Sequence, residues 1–251
     1  MKKILLALLF GLLALLVVGG LAWWSLPAET AWARVAKQVP ALRLQGLTGR
    51  VWEGQAQGVS VKALPMGSAT WRFSPWQALS GVGSGELSLR GGPIELNTNV
   101  RAEGHNVTLR ALKATVPGTM LEPALDIPSL KLQGRIDIVG DEIQIVDGIL
   151  KSATGVLTWN DLGVSGLAEA RIGNVRVDFA PEGNDIVGTI RDTGGPLAIA
   201  GTVRVQGQTF HAEVNLDARE DSVREALLYV GERKPNGGSL LRVDGVIEKL
   251  Y

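Results

Sequence analysis

Residues that commonly carry catalysis are scarce in this sequence of 251 residues. Cysteine is absent, and the two histidines, His105 and His211, lie far apart in the chain. Ser84 lies in a Gly-Val-Gly-Ser-Gly run, which is not the Gly-x-Ser-x-Gly of a nucleophile elbow. Both histidines fall on the polar side of an alternating pattern, which favours solvated side chains on strands. The sequence therefore predicts no catalytic site.

Metal binding and nucleic-acid binding are also disfavoured. The acidic pairs Asp141-Glu142 and Glu220-Asp221 lie at predicted turns, where charged residues are expected, and a metal site needs several converging ligands. The 25 basic and 25 acidic residues cancel, without a long run of one sign. Binding to nucleic acid requires a basic patch that neutralises phosphates. We therefore expect neither a metal nor a nucleic-acid partner.

Tryptophan and glycine form the most distinctive pattern. Trp52 lies between glycines in residues 46–54, and Trp71 and the proline-flanked Trp76 follow it. These three rings could form a packed aromatic cluster or a binding surface. Because aromatic side chains mostly serve packing, we favour the interpretation that they anchor a core.

From Leu42 onward, the segments that must position these residues alternate apolar and polar side chains. The clearest runs are 130–138, 197–205 and 210–216. A period of two indicates strands with one buried and one wetted face. The connections are too short for crossover helices, so the strands should be antiparallel. The predicted fold class is mainly β.

Four glycines occupy apolar positions in the middle of predicted strands, namely Gly134, Gly188, Gly201 and Gly245. Glycine inside a strand usually marks a bend, a bulge or a close approach of another backbone. The sequence therefore predicts a strongly curved sheet with an apolar concave side. Flat strands at all four positions would disprove this prediction.

Three segments break the β pattern. Residues 28–38 have helix signals and form either a short helix beside a membrane or a simple tether, which we favour. The position of Pro75 within residues 74–80 predicts a single helical turn that starts just before this proline. Residues 221–231 predict an amphipathic helix that covers one end or edge of the sheet.

Short repeated motifs suggest two related halves. Gly-x-x-Thr-Trp occurs at 67–71 and 155–159, and Gly-Gly-Pro occurs at 91–93 and 194–196. We therefore predict β halves at 41–140 and 141–251. A single continuous β domain over 41–251 is the alternative.

The first apolar run, residues 4–24, has no charge and no proline, and two lysines precede it. As a helix it would be about 31 Å long, close to the thickness of a bilayer core. The lysines place the N-terminus in the cytoplasm, and Trp23 and Trp24 fall at the membrane interface. A cleaved signal peptide with Gly20-Leu21-Ala22 at its cleavage site is the alternative. We favour a retained single-pass anchor over 1–24, followed by a juxtamembrane segment over 25–40.

The sequence resembles the type II secretion system protein N family in the order of its short motifs, from the anchor to the last strand. The motif positions are Gly49, Val51, Trp52, Gly54, Trp71, Pro75, Gly194, Gly195, Pro196 and Leu197. The resemblance implies a single-pass inner-membrane component of the machine that exports folded proteins from the periplasm of Gram-negative bacteria. Its partners would be other inner-membrane components of that machine.

The same resemblance implies no enzymatic activity and no cofactor. It supplies no active-site residues, so we expect the motif positions to be structural. A different class of function stays open, namely an envelope module that binds or transfers lipid through an apolar groove on the curved sheet. A periplasmic hydrolase is disfavoured by the shortage of histidine and the missing nucleophile motif.

Overall fold

The structure, a computed structural model, describes residues 25–37, 40, 42–61, 64–122, 130–166, 169–224, 227, 230–235 and 237–247. The predicted anchor at 4–24, with Trp23 and Trp24, lies outside these residues. Among the residues that are described, no helix is long and apolar enough to cross a membrane.

Most of the described chain is strand. The helices are α1 (Ala28–Val35), α2 (Pro75–Ala78) and α3 (Asp221–Arg224), with a 3₁₀ turn at Gly118–Leu121. The strands are β1 (Leu42–Gly49), β2 (Glu53–Val61), β3 (Leu64–Phe73), β4 (Val82–Arg90), β5 (Glu95–Glu103), β6 (Asn106–Pro117), β7 (Leu130–Val146), β8 (Ile149–Gly166), β9 (Ala170–Glu182), β10 (Asp185–Asp192), β11 (Leu197–Gln206), β12 (Thr209–Ala218), β13 (Glu232–Arg233) and β14 (Ser239–Val246).

All fourteen strands belong to one antiparallel sheet. Each strand from β1 to β11 pairs with the next one along the chain, and β12 pairs with β14, which lies between β12 and β13. This meander needs only short connections, because an antiparallel neighbour begins where the previous strand ends. The predicted fold class, mainly β with an antiparallel sheet and few helices, is confirmed.

The pairing register gives the sheet one apolar and one polar face. Residues directly opposite each other in an antiparallel pair share a face. Ile136 pairs with Trp159, and Trp159 pairs in turn with Val175. The neighbouring positions on these strands are polar, as in the pairs of Asp137 with Thr158 and of Thr158 with Arg176. The alternation seen in the sequence therefore corresponds to one face that runs across the sheet.

The sheet is curved, as the inward glycines predict. Strands β8 and β10, which are separated by β9, approach within 8 Å between Cα atoms, and so do β9 and β11. In a flat sheet such strands would be about 9.6 Å apart. A Cβ atom on Gly188 would lie 2.6 Å from Val203 Cγ1, and one on Gly201 would collide with the backbone of Glu213. These close approaches leave no space for a side chain at either glycine, and at Gly201 the close neighbour is backbone, as glycine within a strand often indicates.

The other two inward glycines behave similarly. Gly134 has a φ of +96° at a register shift between β7 and β8, where the backbone of Asp161 comes close. The ring of Phe210 lies over Gly245. Both positions therefore mark a bulge or a close contact, as glycine within a strand usually does.

Two hydrophobic clusters form on the apolar face. The smaller one joins Ala56, Val59 and Ala69 on β2 and β3. The larger one extends from β7 to β12 and α3, and its buried members are Leu132, Ile136, Trp159, Val164, Ala170, Val175, Leu197, Ile199, Leu216 and Val223. Curvature allows one sheet to bury so many of its own residues, because its apolar face turns toward itself.

The predicted helix at 221–231 is described only over its first turn. Helix α3 contacts β9 and β12, and Val223 is 2% exposed in the larger cluster. Leu227 and Val230 pack against the same cluster. These three residues therefore cover part of the apolar face, and the described helix ends at Arg224.

Helix α1 occupies the predicted juxtamembrane segment. It contacts β1, and Pro27 forms an isolated bridge with Arg50. Ala28 is buried. Helix α1 thus lies against the edge of the sheet, and the choice between a juxtamembrane helix and a simple tether stays a prediction.

The sequence predicts two β halves, whereas the described strands form one continuous sheet. Its boundary at residue 140 falls inside β7, which pairs with β6 and β8. The Gly-x-x-Thr-Trp motifs lie on β3 and β8, five strands apart, whereas the Gly-Gly-Pro motifs precede β5 and β11, six strands apart. The relation between the halves stays a prediction.

Candidate functional site at one end of the sheet

The two ends of the strands carry different elements. We call one the α2 end, which holds the turn at 50–52 and the connection at 74–81. The opposite α3 end holds the turns at 91–94 and 193–196 and residues 219–224. The motif residues divide between these ends.

The first group lies at the α2 end and consists of Gly49, Val51, Trp52, Gly54, Trp71 and Pro75. The Trp71 indole N–H donates to the Val51 carbonyl at 2.9 Å. A Cβ on Gly54 would lie 2.7 Å from Trp71 Cζ2, so the ring packs against a position that only glycine can occupy. Gly49 has a φ of +87°, a left-handed conformation that favours glycine. Together these residues fix the turn between β1 and β2.

A continuous set of backbone hydrogen bonds connects this turn to its neighbours. Val51 N–H donates to the Leu26 carbonyl at 3.0 Å, and Phe73 N–H donates to the Trp52 carbonyl. Ser74 N–H then donates to Ser84 O at 2.8 Å. Helix α2 begins at the next residue, Pro75, as predicted. Backbone hydrogen bonds therefore connect the turn to residue 26 on one side and to the segment that leads into α2 on the other.

The predicted aromatic cluster is only partly formed. Trp71 packs against the buried Ala56, Val59 and Ala69, so its role as a core anchor is confirmed. Trp76 is 70% exposed, and the interpretation of it as a core anchor is wrong. Pro75 starts a helix after β3 has ended, so Trp76 no longer lies on the apolar face of a strand.

Leu79, directly after α2, is 64% exposed, and Val246, at the end of β14, is 71% exposed. These side chains and Trp76 are the three most exposed large apolar residues among those described, and all three lie at the α2 end. Single exposed apolar residues are common on proteins, and Val61 and Leu64 are exposed at the opposite end by 38% and 43%, so the α2 end differs in the degree of its apolar exposure.

A second tryptophan repeats the contacts of Trp71. The Trp159 indole N–H donates to the Gln133 carbonyl at 2.9 Å. A Cβ on Gly118 would lie 2.7 Å from Trp159 Cζ2. Both Gly-x-x-Thr-Trp motifs therefore end in a ring that packs over a glycine and binds a backbone carbonyl.

The second motif group, Gly194, Gly195, Pro196 and Leu197, forms the turn between β10 and β11 at the α3 end. Asp192 organises this turn by accepting hydrogen bonds from the N–H groups of Gly194 at 3.0 Å and Ile199 at 2.9 Å. Arg219 binds both oxygens of the same carboxylate, at 2.7 and 3.2 Å. The turn is thus attached to the chain that leads into α3.

These contacts change the titration of Asp192. The hydrogen bond from Arg219 lowers its pKa to about 2, with further lowering by the two backbone N–H groups and the Arg219 charge, whereas burial opposes the shift. The sequence reasoning missed the Asp192–Arg219 pair. The available signal was an aspartate two residues before a Gly-Gly-Pro turn, but its arginine partner is distant in the chain.

The residues considered for catalysis are dispersed. Ser84 Oγ donates to the side-chain carbonyl of Gln77 on α2, and His211 Nδ1 lies 2.6 Å from Asp244. His105, in the turn between β5 and β6, lies 3.9 Å from Asp147 in the turn between β7 and β8. Among the described residues, no group of three or more histidine, aspartate or glutamate side chains is placed to bind a metal.

Several carboxylates on the polar face are held in their ionised form. The hydrogen bond from Arg176 lowers the pKa of Asp178, and hydrogen bonds from Gln206 and then Arg204 lower that of Asp185. A general acid needs the opposite shift, because it must keep a proton near neutral pH. These carboxylates therefore belong to ion pairs that link neighbouring strands.

The geometry defines a mainly β protein, built as one curved sheet whose motif residues fix turns at its two ends. Residues 40–242 match the profile of the family described as Type II secretion system (T2SS), protein N. Because this match spans most of the chain and nearly all of the sheet, the chain belongs to that family and is a component of the type II secretion system. Comparison with curated proteins and comparison with solved structures each gave no match.

Proposed function

We propose that this chain is a non-enzymatic component of the type II secretion apparatus, anchored in the inner membrane with its sheet in the periplasm. The observation that carries this proposal is the family match over residues 40–242. The apolar run at 4–24 supports the anchor. The protein would assist export by binding other inner-membrane components, which it would meet through the polar face of the sheet.

The geometry of the motif residues agrees with a role that needs no chemistry. Trp71 and Gly54 lock one turn, and Asp192 with Arg219 locks another. The polar groups of Trp71, Asp192 and Arg219 form hydrogen bonds that fix the backbone of these turns. A protein of this kind acts through where it is placed and what it binds.

Photo-crosslinking in cells tests the partner. A photoreactive amino acid at Thr108, on the polar face, should capture inner-membrane components of the secretion system, identified by mass spectrometry after purification of the full chain. The same probe at the neighbouring Leu109, on the apolar face, is the matched control. A chain that captures no secretion component from Thr108, and purifies alone in mild detergent, would contradict the proposal.

Lipid binding is a second candidate, and the exposure of the apolar face favours it. On β4 to β6 this face carries Leu87, Val100 and Leu109, which are only half-buried, whereas Leu112 on β6 is buried. By contrast, the corresponding face from β7 to β12 contains the larger buried cluster. A half-buried apolar strip on a curved sheet has the chemistry to receive acyl chains.

The Leu109 probe tests this candidate directly. If acyl chains occupy the strip, Leu109 crosslinks to phospholipid and Thr108 does not. Absence of lipid adducts at Leu109, together with adducts to the chain itself, would show a closed face and exclude lipid binding there.

A further inference from the structure

The α2 end of the sheet lies where the chain emerges from its apolar N-terminal run. That run ends at Trp24, and the Leu26 carbonyl already accepts the hydrogen bond from Val51 N–H at 3.0 Å. Two extended residues span at most about 7 Å. If residues 4–24 cross the membrane, the turn at 50–52 must therefore lie at the membrane surface.

Helix α2 is held next to that turn. Phe73 N–H donates to the Trp52 carbonyl, and α2 follows two residues later. The headgroup layer on each side of a bilayer is about 5–7 Å thick, which is comparable with the distance that two residues allow. The two residues from Phe73 to Pro75 add at most about 7 Å, so α2 begins close to that layer.

The side chains on α2 and directly after it suit that layer. Trp76 is 70% exposed and Leu79 is 64% exposed, although both are apolar. Tryptophan concentrates at membrane interfaces because its ring is apolar and its indole N–H can stay hydrated. Leucine gains free energy when its surface leaves water.

We propose that Trp76 and Leu79 insert into the periplasmic surface of the inner membrane, so that the sheet stands on the bilayer through its α2 end. This inference rests on the membrane anchor proposed above. The strands then run away from the membrane, and the α3 end points into the periplasm.

The charges beside α2 indicate what kind of lipid contact this is. A cleft of about 600 Å³ next to α2 is lined by Arg72, Arg101 and Arg110. Each arginine has a glutamate partner, at 3.2, 3.6 and 2.9 Å respectively. Because these charges are balanced, the contact depends on apolar insertion and should be insensitive to the fraction of anionic lipid.

Site-specific fluorescence in the reconstituted full chain tests the inference. The sequence has no cysteine, so single cysteines can carry an environment-sensitive dye without background labelling. Trp76→Cys and Leu79→Cys probe α2, Leu64→Cys is the matched control at the α3 end, and Leu12→Cys probes the anchor. Vesicles of phosphatidylcholine, with or without phosphatidylglycerol, contain lipids with a doxyl quencher.

Insertion predicts blue-shifted emission and doxyl quenching at positions 76 and 79, equal in both vesicles, with position 64 quenched only by aqueous iodide. A second variant, Leu79→Asp, should reduce the quenching at position 76, whereas Leu64→Asp should not.

If iodide quenches the dyes at positions 76 and 79 as strongly as the dye at position 64, the inference is overturned. If doxyl lipids still quench the dye at position 12 in that case, the proposed anchor is retained. Loss of quenching at 12 would instead remove the anchor. Protection from both quenchers at 76 and 79 would indicate a protein contact and also overturn membrane insertion.

Discussion

Gly54 lies against the indole ring of Trp71, and its neighbours leave no space for a methyl group. A Cβ there would also lie 2.8 Å from the Thr48 carbonyl oxygen, which is backbone and cannot easily move. Gly54→Ala should therefore lower the free energy of unfolding by about 1–3 kcal/mol, as overpacking usually does. Urea unfolding of the full chain in detergent, followed by tryptophan fluorescence, measures this change.

Gly58→Ala on the same strand is the control. The added Cβ would meet only the Gln45 side chain, at 3.5 Å, which is ordinary van der Waals contact. Its stability should stay within about 0.5 kcal/mol of the wild type. Equal effects of the two substitutions would show that the contact with Trp71 does not determine the need for glycine.

Asp192 gives a second prediction at the residue scale. Its side chain is 14% exposed, and its folded pKa of about 2 lies below the ordinary value of 3.8. The ionised carboxylate therefore stabilises the fold at pH values above about 4, and this contribution is lost as the pH falls toward 2. The shift corresponds to about 2 kcal/mol.

Asp192→Asn should accordingly reduce the free energy of unfolding by about 2 kcal/mol at pH 7. The difference from the wild type should stay constant down to pH 5 and shrink between pH 4 and 2. Glu103→Gln, in an exposed pair with Arg101, should have little effect. A difference that does not change with pH would mean that Asp192 acts without its charge.

Among the elements, the apolar face contributes more to stability than the polar face does. The ion pairs between strands, such as Arg242 with Glu213 and Arg191 with Asp178, involve side chains that are about a third or more exposed. Exposed pairs of this kind contribute little, because water screens the charges and ordering two long side chains costs entropy. Burial of residues such as Ile136, which is 1% exposed, is the larger effect.

Helix α3 allows this view to be tested. Val223 is 2% exposed and packs on the cluster formed by β7 to β12. Val223→Ala removes two buried methyl groups and should lower the free energy of unfolding by about 2 kcal/mol. Val139→Ala, at a half-exposed position on β7, removes the same groups and should cost much less. If urea unfolding shows similar losses of free energy for the two variants, the contact of α3 with the core does not contribute to stability as we expect.

At the scale of the whole molecule, the anchor is expected to be part of the function. Replacing residues 1–24 with a cleaved signal peptide would deliver the same sheet to the periplasm but free of the membrane. We expect secretion of a folded substrate to fail with this variant and to persist when an unrelated transmembrane helix replaces residues 4–24. The amount of substrate in the culture medium, at equal protein levels, measures the outcome. Secretion by the unanchored variant would refute a positional role.

Much of this architecture follows from the sequence by itself. Alternation at 130–138 and 197–205 determines strands and faces, because successive side chains of a strand point to opposite sides. The single helical turn at Pro75 was also predictable, since proline fixes its own φ and lacks the N–H that a first turn would leave unpaired. The family membership follows from short motifs in a fixed order.

Only the tertiary structure decided which motif residues meet. Trp71 reaches Val51 and Gly54 because β3 pairs with β2, and Asp192 reaches Arg219 because β10 and the end of β12 meet at one end of the sheet. The exposure of Trp76 likewise depends on where β3 ends. Such contacts depend on pairing across the sheet, whereas hydrophobic periodicity is a local property of the chain and carries no information about which distant residues become neighbours.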